Sequence, residues 1–365
     1  MKVVIVQKDL KNLRSGVSRL VRSELEALDE VGHESFLISE KVKPIAYSHT
    51  SAQVRKTFRW PFKGAIRRRF FKWQTEYWLG RIAPDVSIAH GDIASADVCF
   101  IHNCVHFEHE LIHGVPLPSD NDVGALHTEV LTKQQFQVLV CNSELMKQDL
   151  VQRFHIRDKH IEVLYPSCDP DSVTRPERDM RAELGMTGAD LVIGLITSGN
   201  FKKRNVQLFL EVSAQLRSEQ RLHIVVAGNG KASEFQNLLE QHPHTVHFLP
   251  STDCVADYYA MLDVFVLPAF IEEFGMSALE AMTCSKPVVL HNMVGASEIL
   301  EGESVSFSIS GLDQQVWTNA LQALCDDAGL RKRLGAQNAE TAKKYTASQQ
   351  NKKFLELISR FQENS

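Results

Sequence analysis

No stretch of the sequence approaches the roughly 20 consecutive apolar residues that a membrane-crossing helix needs. Its first apolar run, Val3–Val6, is also too short for the core of a secretory leader. The expectation is therefore a cytoplasmic chain that meets a membrane, if at all, from the surface. Cysteine is sparse and scattered: seven residues, at 99, 104, 141, 168, 254, 284 and 325, with no C-x-x-C pair. That argues against a zinc ribbon and against a disulfide framework, and for reduced, mostly buried thiols. An excess of positive charge is missing too. Forty Lys and Arg stand against 45 Asp and Glu, a formal charge of -5, so nucleic acid is not the expected partner. No low-complexity tract interrupts the chain.

What is present is an ordinary globular composition, 44% hydrophobic and 23% charged, spread over 365 residues. That length exceeds what one core usually supports, so two domains are expected. Short apolar runs alternate with amphipathic stretches, the pattern of parallel sheets covered by helices. In the first half, strands are expected at Val3–Val6, Ser35–Ile38, Val86–Ala89, Val98–Ile101, Gln137–Cys141 and Ile161–Leu164. A helix over 17–31 ends at Gly32, and Ser143 is placed to cap a helix over Glu144–Phe154. The proline-rich segment Tyr165–Glu177 reads as the boundary. Beyond it, strands Leu191–Ile196, Leu222–Ala227, Val246–Leu249, Val264–Leu267 and Pro287–Leu290 alternate with helices near 204–217, 231–241, 254–262 and 277–283. Three helices close the chain, near 312–326, 329–344 and 347–362.

The richest stretch for chemistry comes after the strand Val264–Leu267. It passes Glu272-Glu-Phe274-Gly275 and opens a helix at Met276 or Ser277 that carries Glu280. In doubly wound sheets ligands bind outside the carboxyl ends of the strands. A helix start there presents unpaired N–H groups and partial positive charge to a phosphate, and Gly275 lets the backbone come close. Acidic residues near a helix start also serve simply as favourable partners of its dipole.

Glu272-x7-Glu280 enclosing Phe-Gly, followed by Ala-Met and Lys-Pro-Val-Val, resembles the signature of the retaining GT-B glycosyltransferases of family 4, the glycosyl transferases of group 1. Gly32-His-Glu, Val140-Cys-Asn-Ser143, Ile161–Asp169, Ala227-Gly-Asn-Gly230 and Gly295-Ala-Ser-Glu298 resemble further family features in the same order. The resemblance implies two Rossmann-like domains facing each other across a cleft. It places an acceptor domain at 1–170, a nucleotide-sugar domain at 171–345, and a C-terminal helix, 346–365, crossing back to the first domain.

The resemblance also assigns residues. Glu280 would bind the ribose hydroxyls, the backbone at Phe274, Gly275, Met276 and Ser277 the donor sugar and diphosphate, and Glu272 the donor sugar as positive charge develops on it. Cations after the first strand of the second domain would neutralise the diphosphate. Arg204 aligns best, with Lys203 or Lys202 as substitutes, while Asn200 stands where an arginine is usual. Arginine suits the task because it grips phosphate bidentately. Gly16, in Ser15-Gly16-Val17, opens a helix toward the donor or acceptor, and His102 matches a histidine close to the donor sugar. Val294 and Ser285 replace family glycines. Retention of configuration, by front-face attack with the leaving phosphate taking the acceptor's proton, comes from the resemblance alone. It requires no metal and no cofactor.

Two segments pull elsewhere. His109-Glu-Leu-Ile-His113 is a literal H-E-x-x-H, the zinc-protease pattern, but Gly114-Val115-Pro116 ends any helix there and no third ligand comes after it. Among 15 histidines one such match carries little weight. Residues 54–81 hold nine Lys or Arg against one Glu, interleaved with eight aromatics. Arg67, Arg68, Arg69, Lys72 and Trp73 in this arm suit an anionic membrane surface or a lipid-linked acceptor, or else a core helix with solvated basics. The expectation is a transferase moving a sugar from a nucleotide diphosphate sugar, UDP favoured, to a glycan or lipid-linked acceptor. Surface polysaccharide or lipopolysaccharide synthesis at the cytosolic face of the inner membrane would be its setting. A sugar-nucleotide epimerase and an inactive binding subunit of the same fold are the alternatives.

Overall fold

In a computed structural model, which describes residues 1–12, 15–61, 65–93 and 95–362, the chain divides into two compact units. One comprises Met1–Glu110, Val115–Tyr165 and the segment from Ala347; the other comprises Pro166–Thr346 with Leu111–Gly114. Each is built on a parallel sheet.

The first sheet has seven strands: β1 (Lys2–Val6), β2 (Glu34–Ser39), β3 (Gln53–Lys56), β4 (Val86–Ala89), β5 (Val98–Phe100), β6 (Val138–Cys141) and β7 (Ile161–Val163), in the order β3-β2-β1-β4-β5-β6-β7. All pairings are parallel, with Val3 opposite both Ser35 and Val86. Strands covered on both faces must be apolar throughout, which is why Val3–Val6 and Val86–Ala89 are entirely buried. The helix Gly16–Glu30 lays Val21, Leu25 and Leu28 on this sheet. The last helix, Ala347–Ser359, joins the same core through Phe354, Leu357 and Ile358. The chain thus returns to its first unit after completing its second.

The second sheet has six strands: β8 (Leu191–Ile196), β9 (Leu222–Ala227), β10 (Thr245–Leu249), β11 (Val264–Leu267), β12 (Val288–His291) and β13 (Ser308–Ile309), in the order β10-β9-β8-β11-β12-β13, again all parallel. Eleven of the thirteen strands fall where the apolar runs place them. The other two, β3 and β13, do not: Gln-Val-Arg-Lys is an edge strand with one apolar residue, and Ser308–Ile309 is two residues long. Several helices are shorter than their periodicity suggests. The span 204–217 is helical only over Val206–Ser213, because Asn205 adopts a left-handed conformation and caps the helix from its side chain. The span 231–241 is a 3-10 turn, Ala232–Phe235, leading into Gln236–Glu240. The seven cysteines are thiols, five of them buried.

Candidate active site

Within the second unit β8 and β11 are neighbours, but β9 and β10 lie on one side of them and β12 and β13 on the other. A strand order that reverses in this way marks the place, at the carboxyl ends of the strands, where doubly wound sheets bind ligands. The loop after β8 is shaped by asparagines. Asn200 sits at φ 53 and its Oδ1 accepts the Lys203 N–H at 3.1 Å. At the position where the family resemblance led one to expect an arginine, the asparagine thus serves the turn itself. Gly230, after β9, is packed so closely under Phe201 that a Cβ would lie 2.0 Å from its ring.

Lys203 turns inward. Its Nζ donates to Glu273 Oε2 at 3.0 Å with both side chains buried, and its carbonyl accepts from the Phe270 N–H at 2.9 Å. Arg204 Nε lies 2.7 Å from Glu272 Oε1. Lys202 is exposed. Two cation–carboxylate pairs thus join the β8 loop to the β11 loop. The acidic loop is also fixed from behind: Glu272 N–H donates to the Met293 carbonyl at 3.0 Å, and Gly295 N–H donates to that of Glu272 at 3.0 Å.

Gly275, at φ 92, begins the helix Met276–Thr283, and no side chain caps it. A Cβ there would lie 2.7 Å from Val294 Cγ1. The valine that replaces a family glycine thus fills the space beside Gly275. Phe274 is buried, so this residue offers only backbone to a ligand. Met276 and Ser277 are half-buried in the first turn. Glu280, one turn further, is braced by a residue that no motif in the sequence marks. Tyr259 O–H donates to Glu280 Oε2 at 2.7 Å and lies 3.1 Å from the Ser277 carbonyl. Tyr259 is fully buried, and burial together with the Glu280 carboxylate raises its hydroxyl well above the usual tyrosine range. It therefore stays a donor.

The first unit repeats the arrangement. β1 and β4 are neighbours, with β2 and β3 on one side and β5 to β7 on the other. At their carboxyl ends lies a cavity of about 280 Å³, lined by Lys8 after β1, by His90 and Asp92 after β4 and by His102 after β5. Gly16 is the first residue of the helix Gly16–Glu30, which Ser15 caps by accepting the Ser18 N–H at 3.2 Å. Its neighbour Val17 reaches the cavity wall.

His102 is backed by two residues that the sequence did not announce. His102 Nε2 lies 3.1 Å from His90 Nδ1, and His90 Nε2 lies 2.9 Å from Glu24 Oε2. The two rings stack 5.4 Å apart. Burial, with His90 beside it, pulls His102 down to about 3, so the ring is neutral at any physiological pH.

The description "Glycosyltransferase Family 4" matches residues 14–172, and "Glycosyl transferases group 1" matches residues 192–327. The chain belongs to this family. It is 29% identical over 228 residues to the D-inositol 3-phosphate glycosyltransferase of Corynebacterium kroppenstedtii, covering 57% of this chain and 50% of that one. The same named enzyme of Corynebacterium jeikeium is 29% identical over 251 residues, 62% of this chain and 59% of that one. The chain thus spans about half the length of the curated relatives it matches. The fold is that of WaaG, a glycosyltransferase involved in lipopolysaccharide biosynthesis, with a TM-score of 0.75 at 16% identity and 98% and 99% of the two chains covered.

The H-E-x-x-H segment does lie on a helix, Val105–His113, which ends at Gly114 with φ 69. Its glutamate is otherwise engaged: Glu110 accepts from the two terminal guanidinium nitrogens of Arg153, at 2.8 and 2.9 Å. No group of three or more His, Cys, Asp or Glu side chains among the described residues is arranged so that it could hold a metal ion.

The basic arm contains β3 and the helix Ala65–Ile82. Arg67 turns inward to Glu40, whose carboxylate is buried, and Arg59 Nε lies 3.6 Å from the same group. Arg68 Nη2 pairs with Asp122 at 3.0 Å, and Lys72 lies 3.8 Å from Glu129. Of the five residues singled out in this arm, Arg69 and Trp73 stand exposed. With Ile66 and Tyr77 they share one face of the helix, at spacings of three and four residues, and Trp73 is 61% exposed.

Proposed function

We propose that the protein is a retaining glycosyltransferase that moves a sugar from a nucleotide diphosphate sugar to a glycan or lipid-linked acceptor. The observation that carries this reading is the cluster at the β8–β11 switch point, where Lys203, Arg204, Glu272 and Glu273 converge on the start of the helix Met276–Thr283. A diphosphate leaving group needs positive charge close to its oxygens, and Arg204 and the first-turn N–H groups supply it without a metal ion, while Lys203 fixes the acidic loop through Glu273. In the pair with Arg204, Glu272 occupies the place that a phosphate would take. Exchange of the diphosphate for Glu272 would free that carboxylate to accept from the sugar hydroxyls and to face the positive charge that grows at the anomeric carbon. The bond from that carbon to the diphosphate oxygen breaks, the bond to the acceptor oxygen forms on the same face, and the departing diphosphate takes the acceptor's proton. Glu280, held by Tyr259, binds the ribose.

UDP is the favoured nucleotide, because a neighbour of the same fold, the Anabaena protein HepE, was crystallised with UDP and glucose (TM-score 0.73, 16% identity, 99% and 100% of the two chains covered). The exposed face with Ile66, Arg69, Trp73 and Tyr77 is read as a contact with an anionic membrane surface. No helix among the described residues is long and apolar enough to cross one. Surface polysaccharide or lipopolysaccharide assembly at the cytosolic face of the inner membrane is the setting this suggests.

The test is thermal stabilisation by UDP, GDP, ADP and CMP in the presence of EDTA, for wild type and Glu280→Ala. Stabilisation by UDP that vanishes in the variant is expected, together with slow release of free sugar from the matching UDP-sugar. Absence of any nucleotide effect would overturn the reading. Nucleotide binding without turnover would leave only a binding subunit.

A further inference from the structure

Glu24 is out of place in the core of the first unit. On the helix Gly16–Glu30 it belongs to the face that carries Val21, Leu25 and Leu28 to the sheet, and it is 1% exposed. Val21, Glu24 and Leu28 follow one another at spacings of three and four residues, so an apolar side chain is what that face requires. Among the described residues its carboxylate accepts one hydrogen bond, from His90 Nε2 at 2.9 Å, and Oε1 is buried with no partner. A buried carboxylate held by a single donor costs stability, and a methionine or leucine there would not. The use of Glu24 therefore lies in what it does to two histidines.

The three side chains form a line. His90 Nδ1 lies 3.1 Å from His102 Nε2, and the two ring planes are within 4° of each other. A ring nitrogen donates and accepts in the plane of its ring, so this alignment suits an N–H···N bond. Phe100 packs against His90, with 4.6 Å between ring centres, and limits its rotation.

The order of the protons follows from the buried end. A carboxylate only accepts, so His90 carries hydrogen on Nε2. An imidazole whose single N–H is spent on Glu24 has a bare Nδ1, which accepts from His102 Nε2–H. Burial keeps His102 uncharged, so it has no second proton and its own Nδ1 is bare in turn. Asn142 also hydrogen-bonds His102 through its side chain, but an amide supplies a donor or an acceptor as needed and does not set the order. Without Glu24 the order reverses. His90 then turns its N–H to His102 from Nδ1, and His102 carries hydrogen on Nδ1 at the wall of the cavity that it lines.

We propose, resting on the transferase reading, that Glu24 is a positioning residue of the reaction. Acting through His90, it fixes His102 with hydrogen on Nε2 and a bare Nδ1, so that this ring meets a sugar hydroxyl as an acceptor and not as a donor.

The experiment uses the full chain with heavy nitrogen on histidine alone. Long-range proton–nitrogen correlation spectra then report which nitrogen of each ring carries hydrogen, and His90→Asn and His102→Asn assign the two rings by loss of signal. Wild type is expected to show Nε2–H on both. In Glu24→Met, close in shape and apolar like its neighbours, both should show Nδ1–H. Turnover is read as release of free sugar from UDP-glucose, UDP-galactose or UDP-N-acetylglucosamine, whichever wild type hydrolyses fastest. Glu24→Met should lower kcat about tenfold or more, with the donor KM, set mainly by the nucleotide, within about twofold. Cooperative thermal unfolding shows that the variant is folded, and Glu24→Leu carries the same test if it is not. Three results would overturn the proposal: Nδ1–H or a doubly protonated ring at either histidine in wild type, tautomers unchanged in the folded variant, or kcat within about twofold of wild type once they have reversed. If wild type binds no nucleotide and hydrolyses no donor, the transferase reading falls and takes this role with it. If turnover is seen and the tautomers fail, this proposal alone falls.

Discussion

Removing one oxygen atom, in Tyr259→Phe, tests the nucleotide site without touching any residue that would contact the ligand. The hydroxyl has a single proton, and of its two neighbours the Glu280 carboxylate at 2.7 Å is closer and charged, so the proton goes there rather than to the Ser277 carbonyl at 3.1 Å. A hydrogen bond to a charged group contributes about 1.5–3 kcal/mol. Glu280 is half-buried, so water replaces much of what the folded protein loses, and the cost to stability should be only about 1 kcal/mol. Orientation is not replaced in the same way. Glu280 must hold one rotamer to meet two adjacent ribose hydroxyls, and a loss of about 1.4 kcal/mol in that preorganisation weakens binding about tenfold. Calorimetry should therefore show UDP affinity lowered about tenfold. Steady-state kinetics should show a raised donor KM with kcat nearly unchanged, because the ribose is remote from the bond that breaks. A folded Tyr259→Phe protein that binds UDP within twofold of wild type would refute the role given to both residues.

Packing and charge lead to two further outcomes. Gly275→Ala forces a Cβ to within 2.7 Å of Val294 Cγ1 at φ 92, and should destabilise the protein by about 2–3 kcal/mol. Adding Val294→Gly should recover part of this in thermal unfolding, the part due to the clash, and no recovery would mean that the backbone angle alone sets the cost. For Asp92, the folded carboxyl near 6 lies above its unfolded value near 3.8, so the folded state holds its proton more tightly. Its stabilising contribution is complete below pH 3.8 and is lost as pH rises through 6. Relative to Asp92→Asn, wild type should therefore lose up to about 3 kcal/mol between about pH 4 and pH 7 in urea unfolding, less where solvent reaches the carboxyl. A difference that is flat with pH would show that the carboxyl is not perturbed.

Much of the fold was legible because buried parallel strands leave little freedom of composition. Val3–Val6, Leu191–Ile196 and Val264–Leu267 are each covered on both faces, and each reads as an apolar run. β3 was not legible for the converse reason. As an edge strand it is paired only with β2, so Gln53, Arg55 and Lys56 are tolerated and no periodicity betrays it. The helix Ala65–Ile82 lies in the same blind spot. Its apolar and basic residues are mixed around the axis because Phe71 faces the core, Arg67 reaches a buried carboxylate and Trp73 faces solvent.

The candidate sites divide along a similar line. Glu272, Gly275 and Glu280 lie within nine residues of one another, so a single loop and helix turn announces them. Glu24, His90 and Tyr259 act on those sites from other elements. Glu24 is 66 residues from His90, and Tyr259 is 21 residues from Glu280. Each sits in a helix or at a strand end where a polar residue reads as incidental. The connection is made by topology. In both sheets the chain changes direction between two adjacent strands, β1 and β4 in one, β8 and β11 in the other. The loops that leave those four strands carry Lys8, Asp92, Arg204 and Glu272. Strand order cannot be read from composition, which tells that a strand is buried and not which neighbour buries it. Once the order is known, the loop leaving each strand beside a reversal is the place to look for polar side chains, and by that rule His90 and Asp92, directly after β4, belong beside His102.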